Sequence, residues 1–328
     1  MNRLLPLSLT VALLFAMGIG LSVGYTALPL DILWHGLIGE GETGYQIVVQ
    51  EIRLPRVILG AVIGFSLGLS GAALQGLLRN PLAEPGVVGI SASAGLGGVI
   101  AIYFGLASSI AWALPLTSMM GAGLAVFLLF GLTGRDASVL TIILAGVAIS
   151  ALAVALTSLM MSLAPTPWAV TEMLFWVMGA LKDRSMTDVT LTLPFMIIGW
   201  IFILSTARAL DALTLGEETA RSMGVNLRHV NIRLILGTAM CVGASVSAAG
   251  SIGFIGLVVP HLLRPLVSYQ PSRLLIVSGL GGGVLLILAD IAVRLIPSKP
   301  EINLGVLTAL IGAPFFLYLI LKTRREMR

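Results

Sequence analysis

The stretch RVILGAVIGFSLGLSGAALQGLL, residues 56–78, decides the fold class. It carries no charge from Val57 to Leu78, and a helix of about 20 such residues crosses the roughly 30 Å hydrocarbon core of a bilayer. Gly60, Gly64, Gly68, Ala72 and Gly76 recur at every fourth position. Such a ridge of small residues lets a second helix approach closely, which matters in lipid because packing drives association there. Immediately beyond lies RNPLAEP, residues 79–85, polar and with a proline at either side of its acid, before the chain turns apolar again. Pro81 and Pro85 stop helices on both sides, so the chain is expected to turn at the membrane surface and re-enter.

The rest of the chain agrees with this stretch. Of its 328 residues 57% are hydrophobic and only 10% charged, with a mean hydropathy of +1.04. Soluble domains carry about 25% charged residues, so this chain cannot cover itself against water. It reads as an all-α polytopic membrane protein, a single transmembrane domain over 1–328. Ten spans are predicted, at 4–24, 57–78, 87–107, 115–133, 139–163, 189–207, 234–252, 254–269, 274–289 and 304–321, with Pro115 as the break between the third and fourth. The N-terminus resembles a signal peptide in having Arg3 before an apolar run. The run is uncharged as far as Leu30, long for an h-region of roughly 7–15 residues, and is read as an uncleaved first span. The single Cys241 sits in an apolar run and allows no internal disulfide. The pI near 9.6 comes from Lys and Arg in the loops between spans, which points to orientation in lipid and not to nucleic acid. With both termini in the cytoplasm, only Arg53, Arg56, Lys182, Arg184, Arg294 and Lys299 of the 19 basic residues lie outside, as the positive-inside rule requires.

An internal repeat refines the topology. RVILG at 56–60 matches RLILG at 233–237, GVVG at 86–89 matches GFIG at 253–256, and Gly146–Val147 answers Gly305–Val306. Spans two to five thereby pair with seven to ten. The offset of five is odd, so the halves are inverted in the membrane. RNPLAEP is then an insertion in the first half. Charge is almost absent from the predicted spans. Span eight alone carries His261 and Arg264, which argues against a proton-coupled carrier with a midplane acid. No G-x-x-x-x-G-K-[ST] occurs, so the chain has no P-loop of its own. In the cytoplasmic loop 208–233, Thr214 and Glu217 form a capping box, Glu217 and Arg221 an i,i+4 pair, and Gly224 fits the C′ position. A short helix over 215–223 follows, with Leu215, Ala220 and Met223 as an incomplete apolar face. It either lies on lipid or docks into another protein. Span eight is short and broken by Pro260, as spans lining a pathway tend to be. His261 is read either as a satisfied helix-end residue or as a ligand.

RLPR at 53–56, SGAALQGLLRNPLAEPGVVG at 70–89, WVMGAL at 176–181, LGEETARSMGV at 215–225, GSIGFIGLVVPHLLR at 250–264, Ala289–Asp290 and GAPFF at 312–316 occur in this order. Together they resemble the permease subunit of bacterial type II ABC importers for iron chelates, haem and cobalamin. The likeness runs from about residue 50 to 321. EINLG at 301–305 departs from it, since relatives carry a proline before that glycine. The resemblance implies a non-enzymatic, multi-pass permease of the bacterial inner membrane, expected as a homodimer. Two cytoplasmic ATPase subunits would hold ATP and Mg, no cofactor would sit on this chain, and a periplasmic binding protein would deliver cargo. It further implies a coupling helix at the ATPase contact, with Leu215, Gly216, Glu217, Ala220, Arg221 and Gly224. Arg53, Arg56 and Arg294 would dock the binding protein. Val139 and Leu140, at the start of span five, fall where the family narrows its channel, and Asn80, Pro81, Pro260 and His261 join them as pathway or gate residues. The alternative is an ion-coupled secondary transporter with inverted repeats.

Overall fold

The computed structural model describes residues 4–24, 28–110, 112–134, 139–298 and 300–326. Among them there is no β-strand. Seven helices are long and apolar enough to cross a membrane. These are α1 (Leu4–Ser22), α2 (Leu54–Leu77), α4 (Ala113–Thr133), α5 (Val139–Ser162), α6 (Met186–Leu204), α7 (Leu227–Ala249) and α9 (Pro271–Leu295). The short apolar helices α3 (Ile90–Tyr103) and α8 (Ile255–Leu263), with α10 (Leu304–Glu326), complete the series, so a helix falls within or across each predicted span.

The boundaries moved for physical reasons. Residues Thr43–Ile47 and a π-helical turn, Val48–Arg53, run straight into α2. Pro55 has no N–H to donate, and the wider turn closes instead through Leu54 N on Val49 O. Pro115 does not separate α3 from α4 but sits in the first turn of α4, where a proline is tolerated. The break is made by residues 104–110, with a short helix at Leu106–Ser109. α7 starts well before 234, because the Asn226 side chain caps it by accepting from His229 N at 3.2 Å. α9 runs past 289 because Asp290 is paired inside the bundle. Helix α8 is only 9 residues long.

The inverted repeat is visible in the packing. α2 lies along α9, and α7 lies along α4, so the first long helix of each half packs against the third of the other. Within the halves, α3 meets α4 and α5, as α8 meets α9 and α10. The glycine ridge of α2 is used at the α9 crossing. A Cβ on Gly64 would fall on the Gly282 carbonyl, and one on Gly68 on the carbonyl of Ser278. Each half then breaks at the same point. Gly89, at φ +84°, starts α3, and Phe254, at φ +67°, starts α8.

Candidate functional site

The site grows from the segment 79–85. α2 ends at Leu77, and Arg79 turns the chain at φ +48°. Asn80 stabilises the turn in two ways: its Oδ1 accepts from Leu82 N at 2.9 Å, and its carbonyl accepts from Ala83 N at 3.1 Å. Beneath it, buried Gln75 works from both ends of its carboxamide. Nε2 donates to the carbonyls of Ala83 and Gly256, each at 3.3 Å, and Oε1 accepts from Arg264 Nη2. Glu84 reaches across, and its Oε1 accepts from Phe254 N at 2.8 Å. The backbone N–H at the left-handed start of α8 is thus held by a carboxylate from the other half of the repeat. Three elements (α2, the turn, and α8 from its start to its Arg264 end) are joined through two polar side chains.

Phe254 also lines a cleft of about 630 Å³ with Met178, Ser251, Gly305, Ala309 and Pro314. Its wall is formed by the loop leading into α8, by α10 and by the end of helix Pro167–Met178, and is mostly apolar. Gly305 is obligatory there, since a Cβ would collide with the carbonyls of Met178 and Ser251. Pro260 is buried inside α8, and the ring of His261 meets Phe315 of α10 edge-on with centroids 6.0 Å apart. His261 therefore stands at the α8–α10 contact. Leu140 is exposed on α5, and the Val139 side chain lies outside the described residues.

On the other side of the turn, Arg79 Nη2 meets Glu217 Oε1 at 3.0 Å. Glu217 opens the loop helix, which spans Glu217–Ser222 and not 215–223. The predicted capping box does not form. Thr214 instead closes the preceding helix, Ala207–Leu213, with its Oγ1 donating to Asp211 O at 2.7 Å. Gly216, at φ +101°, is the N-cap, so the chain bends there in a way only glycine accepts readily. Gly224 does take the left-handed C′ position, at φ +85°. Ala220 is fully buried against the core, so it cannot belong to an outward contact surface. Leu215 and Met223 are the exposed apolar residues, at 62% and 61%, with Arg221 exposed beside them.

At the opposite end of the bundle the three predicted docking arginines turn inward. Arg56 meets Asp290 at 2.8 Å and also pairs with Glu301, while Arg294 Nη2 meets Asp290 at 3.0 Å. The side chains of Arg56 and Arg294 are only 11% and 5% exposed, and Arg53 is 5% exposed. Arg53 Nη1 donates to Leu21 O at 2.7 Å and Ser22 O at 2.9 Å, and Arg294 Nη1 donates to Gly20 O and Val23 O, each at 2.7 Å. These are last-turn carbonyls of α1, orphaned at any helix end and here capped from α2 and α9. Asp290, inside α9, corrects the expectation of spans free of acid, but both its oxygens are committed to arginine. Glu301 belongs to the divergent EINLG segment, which therefore has an anchor of its own.

The model of the FecCD transport family matches residues 11–322. The chain belongs to that family. Cobalamin import system permease protein BtuC of Halobacterium salinarum is 38% identical, over 94% of this chain and 80% of its own length. Fe(3+) dicitrate transport system permease protein FecD of Escherichia coli is 35% identical, over 99% and 100%. A solved inward-facing structure of a metal-chelate type ABC transporter superposes with a TM-score of 0.85 at 30% identity, covering 98% of this chain and 100% of that one. As a FecCD member the chain is the multi-pass permease subunit of an ABC importer. In the sequence Gln75, Glu84 and Asp290 stand only as letters within motifs, and Arg264 as a charge at the end of span eight. Apart from Ala83 and Arg294, their partners lie far away along the chain, and no local spacing announces such pairs.

Proposed function

We propose that this chain forms the path by which an ATP-driven importer carries a metal chelate (a ferric siderophore or haem) or cobalamin from a periplasmic binding protein into the cytoplasm. Two copies face each other across the apolar cleft beside α10, with both termini and helix Glu217–Ser222 on the cytoplasmic side. Separate ATPase subunits bind ATP and Mg there, and their groove takes Leu215, Arg221 and Met223. The observation that carries this reading is a continuous line of contacts. Glu217 holds Arg79, the Arg79 turn includes Glu84, and Glu84 holds the N–H of Phe254 at the cleft. A push on the loop helix thereby reaches the wall of the pathway. Val139, Leu140, Pro260 and His261 move with that wall. At the periplasmic end, the buried arginine cluster shapes the docking platform by capping α1, and leaves the charge contacts to its rim.

The test is uptake into vesicles holding the permease, its cognate ATPase and its binding protein, with labelled ferric siderophore, haem and cobalamin offered in turn. Uptake of one cargo only when ATP is supplied is expected. Reversing one charge, Arg79→Glu or Glu217→Arg, should lower uptake by roughly fivefold or more, the size of a typical coupling energy. The double reversal should restore it, with protein stability little changed because an exposed pair contributes about 0–1 kcal/mol. Uptake driven by an ion gradient without ATP would overturn the reading.

A further inference from the structure

A second cleft, of about 470 Å³, opens between the end of α6, helix Ala207–Leu213 and the start of α7, away from the pathway. Arg208, His229 and Arg233 stand around it, and Ala212, Val225 and Val230 supply apolar lining. Arg208 and Arg233 are exposed and have no acidic partner among the described residues. The neighbouring acid, Asp211, is already committed. Its oxygens accept from Gln270 Nε2 at 3.0 Å and from Ser272 N at 2.8 Å, at the start of α9.

The depth of this cleft is informative. It begins where the apolar span α6 ends, at Ser205, and the exposed side chains of Ile198 and Ile201 lead to it along one face of α6. Going up that face, a ligand would meet hydrocarbon first and two unneutralised guanidinium groups next. A free anion has no use for the apolar approach, and an acyl chain has none for the arginines. A phosphodiester on an acyl stem satisfies both, and basic clefts between membrane helices are suited to such headgroups.

We propose that this cleft seats the phosphate headgroup of an anionic phospholipid, with Arg208 and Arg233 donating to its oxygens and the acyl chains lying along Ile198 and Ile201. Guanidinium–phosphate bonds are charge-assisted and are roughly twice as strong as neutral ones. Native mass spectrometry of the purified permease would read the bound lipid after exchange into micelles doped with phosphatidylglycerol, cardiolipin or phosphatidylcholine. Wild type should retain one anionic lipid in preference to phosphatidylcholine. The Arg208→Gln/Arg233→Gln variant should lose that retention by about tenfold or more. Arg208→Lys/Arg233→Lys should keep much of it, and Arg221→Gln, a change outside the cleft, should keep all of it. Inorganic phosphate should fail to displace the lipid. Equal retention by the double Gln variant, equal loss in Arg221→Gln, or displacement by inorganic phosphate would each overturn the proposal.

Discussion

Gln75 and Asp290 show how single side chains organise this bundle. Each is buried and polar, and each bonds a group more than a hundred residues away in sequence. Asp290 carries the heavier consequence, because it neutralises Arg56 and also Arg294, which caps α1. Removing one member of a buried ion pair leaves an uncompensated charge and costs about 3–5 kcal/mol. Asp290→Asn is therefore expected to lower the thermal midpoint of the detergent-solubilised permease substantially. A variant with the whole cluster made neutral, Arg56→Met/Asp290→Leu/Arg294→Met/Glu301→Gln, should recover part of the loss. A midpoint unchanged in Asp290→Asn would show that the cluster is solvated and dispensable.

Among the elements, α2 is the one whose reading from sequence held best. Its uncharged length fixed it as a span, and its glycine spacing announced a close neighbour. That the neighbour is α9 was not legible, because closeness needs a matching surface, and α9 offers one short cluster of small residues, Ser278, Gly279 and Gly281–Gly283, not a ridge along its length. Gly68→Leu should be strongly destabilising, by about 3 kcal/mol or more, since its side chain would be driven into the Ser278 backbone and overpacking alone costs about 1–3 kcal/mol. Thermal unfolding in detergent measures this, and Gly123→Leu, at an exposed position of α4 where an added Cβ meets nothing, is the control. The loop helix was legible as an element but not in its details. Thr214 belongs to the helix before it, a competition between two possible caps that local spacing cannot decide. The arginines were misplaced for a similar reason. Charge at a span end looks the same in sequence whether it faces water or a neighbouring helix terminus.

For the whole molecule, the lone Cys241 offers a direct measure of integrity. It is fully buried on α7, and the chain holds no other thiol. Maleimide is expected to leave the native permease unlabelled in detergent and to label it stoichiometrically once it is unfolded. Labelling of the native protein at an appreciable rate would mean that α7 separates from its neighbours far more readily than its packing suggests. Composition had made the membrane class plain, and repeat matching had made the inversion plain. The two re-entrant starts at Gly89 and Phe254 were foreshadowed only by prolines and glycines, because a half-helix is too short to carry a hydropathy signal.

Those starts are alike, but the connections leading to them are not. From the end of α2 at Leu77 the chain reaches α3 only at Ile90, whereas from Ala249 it reaches α8 at Ile255. A machine built from two identical inverted halves would run equally well from either face of the membrane. The longer connection exists on one face only, and it is the one that carries Arg79 and Glu84. Vectorial movement, on this view, is written into the place where the two halves stop being copies.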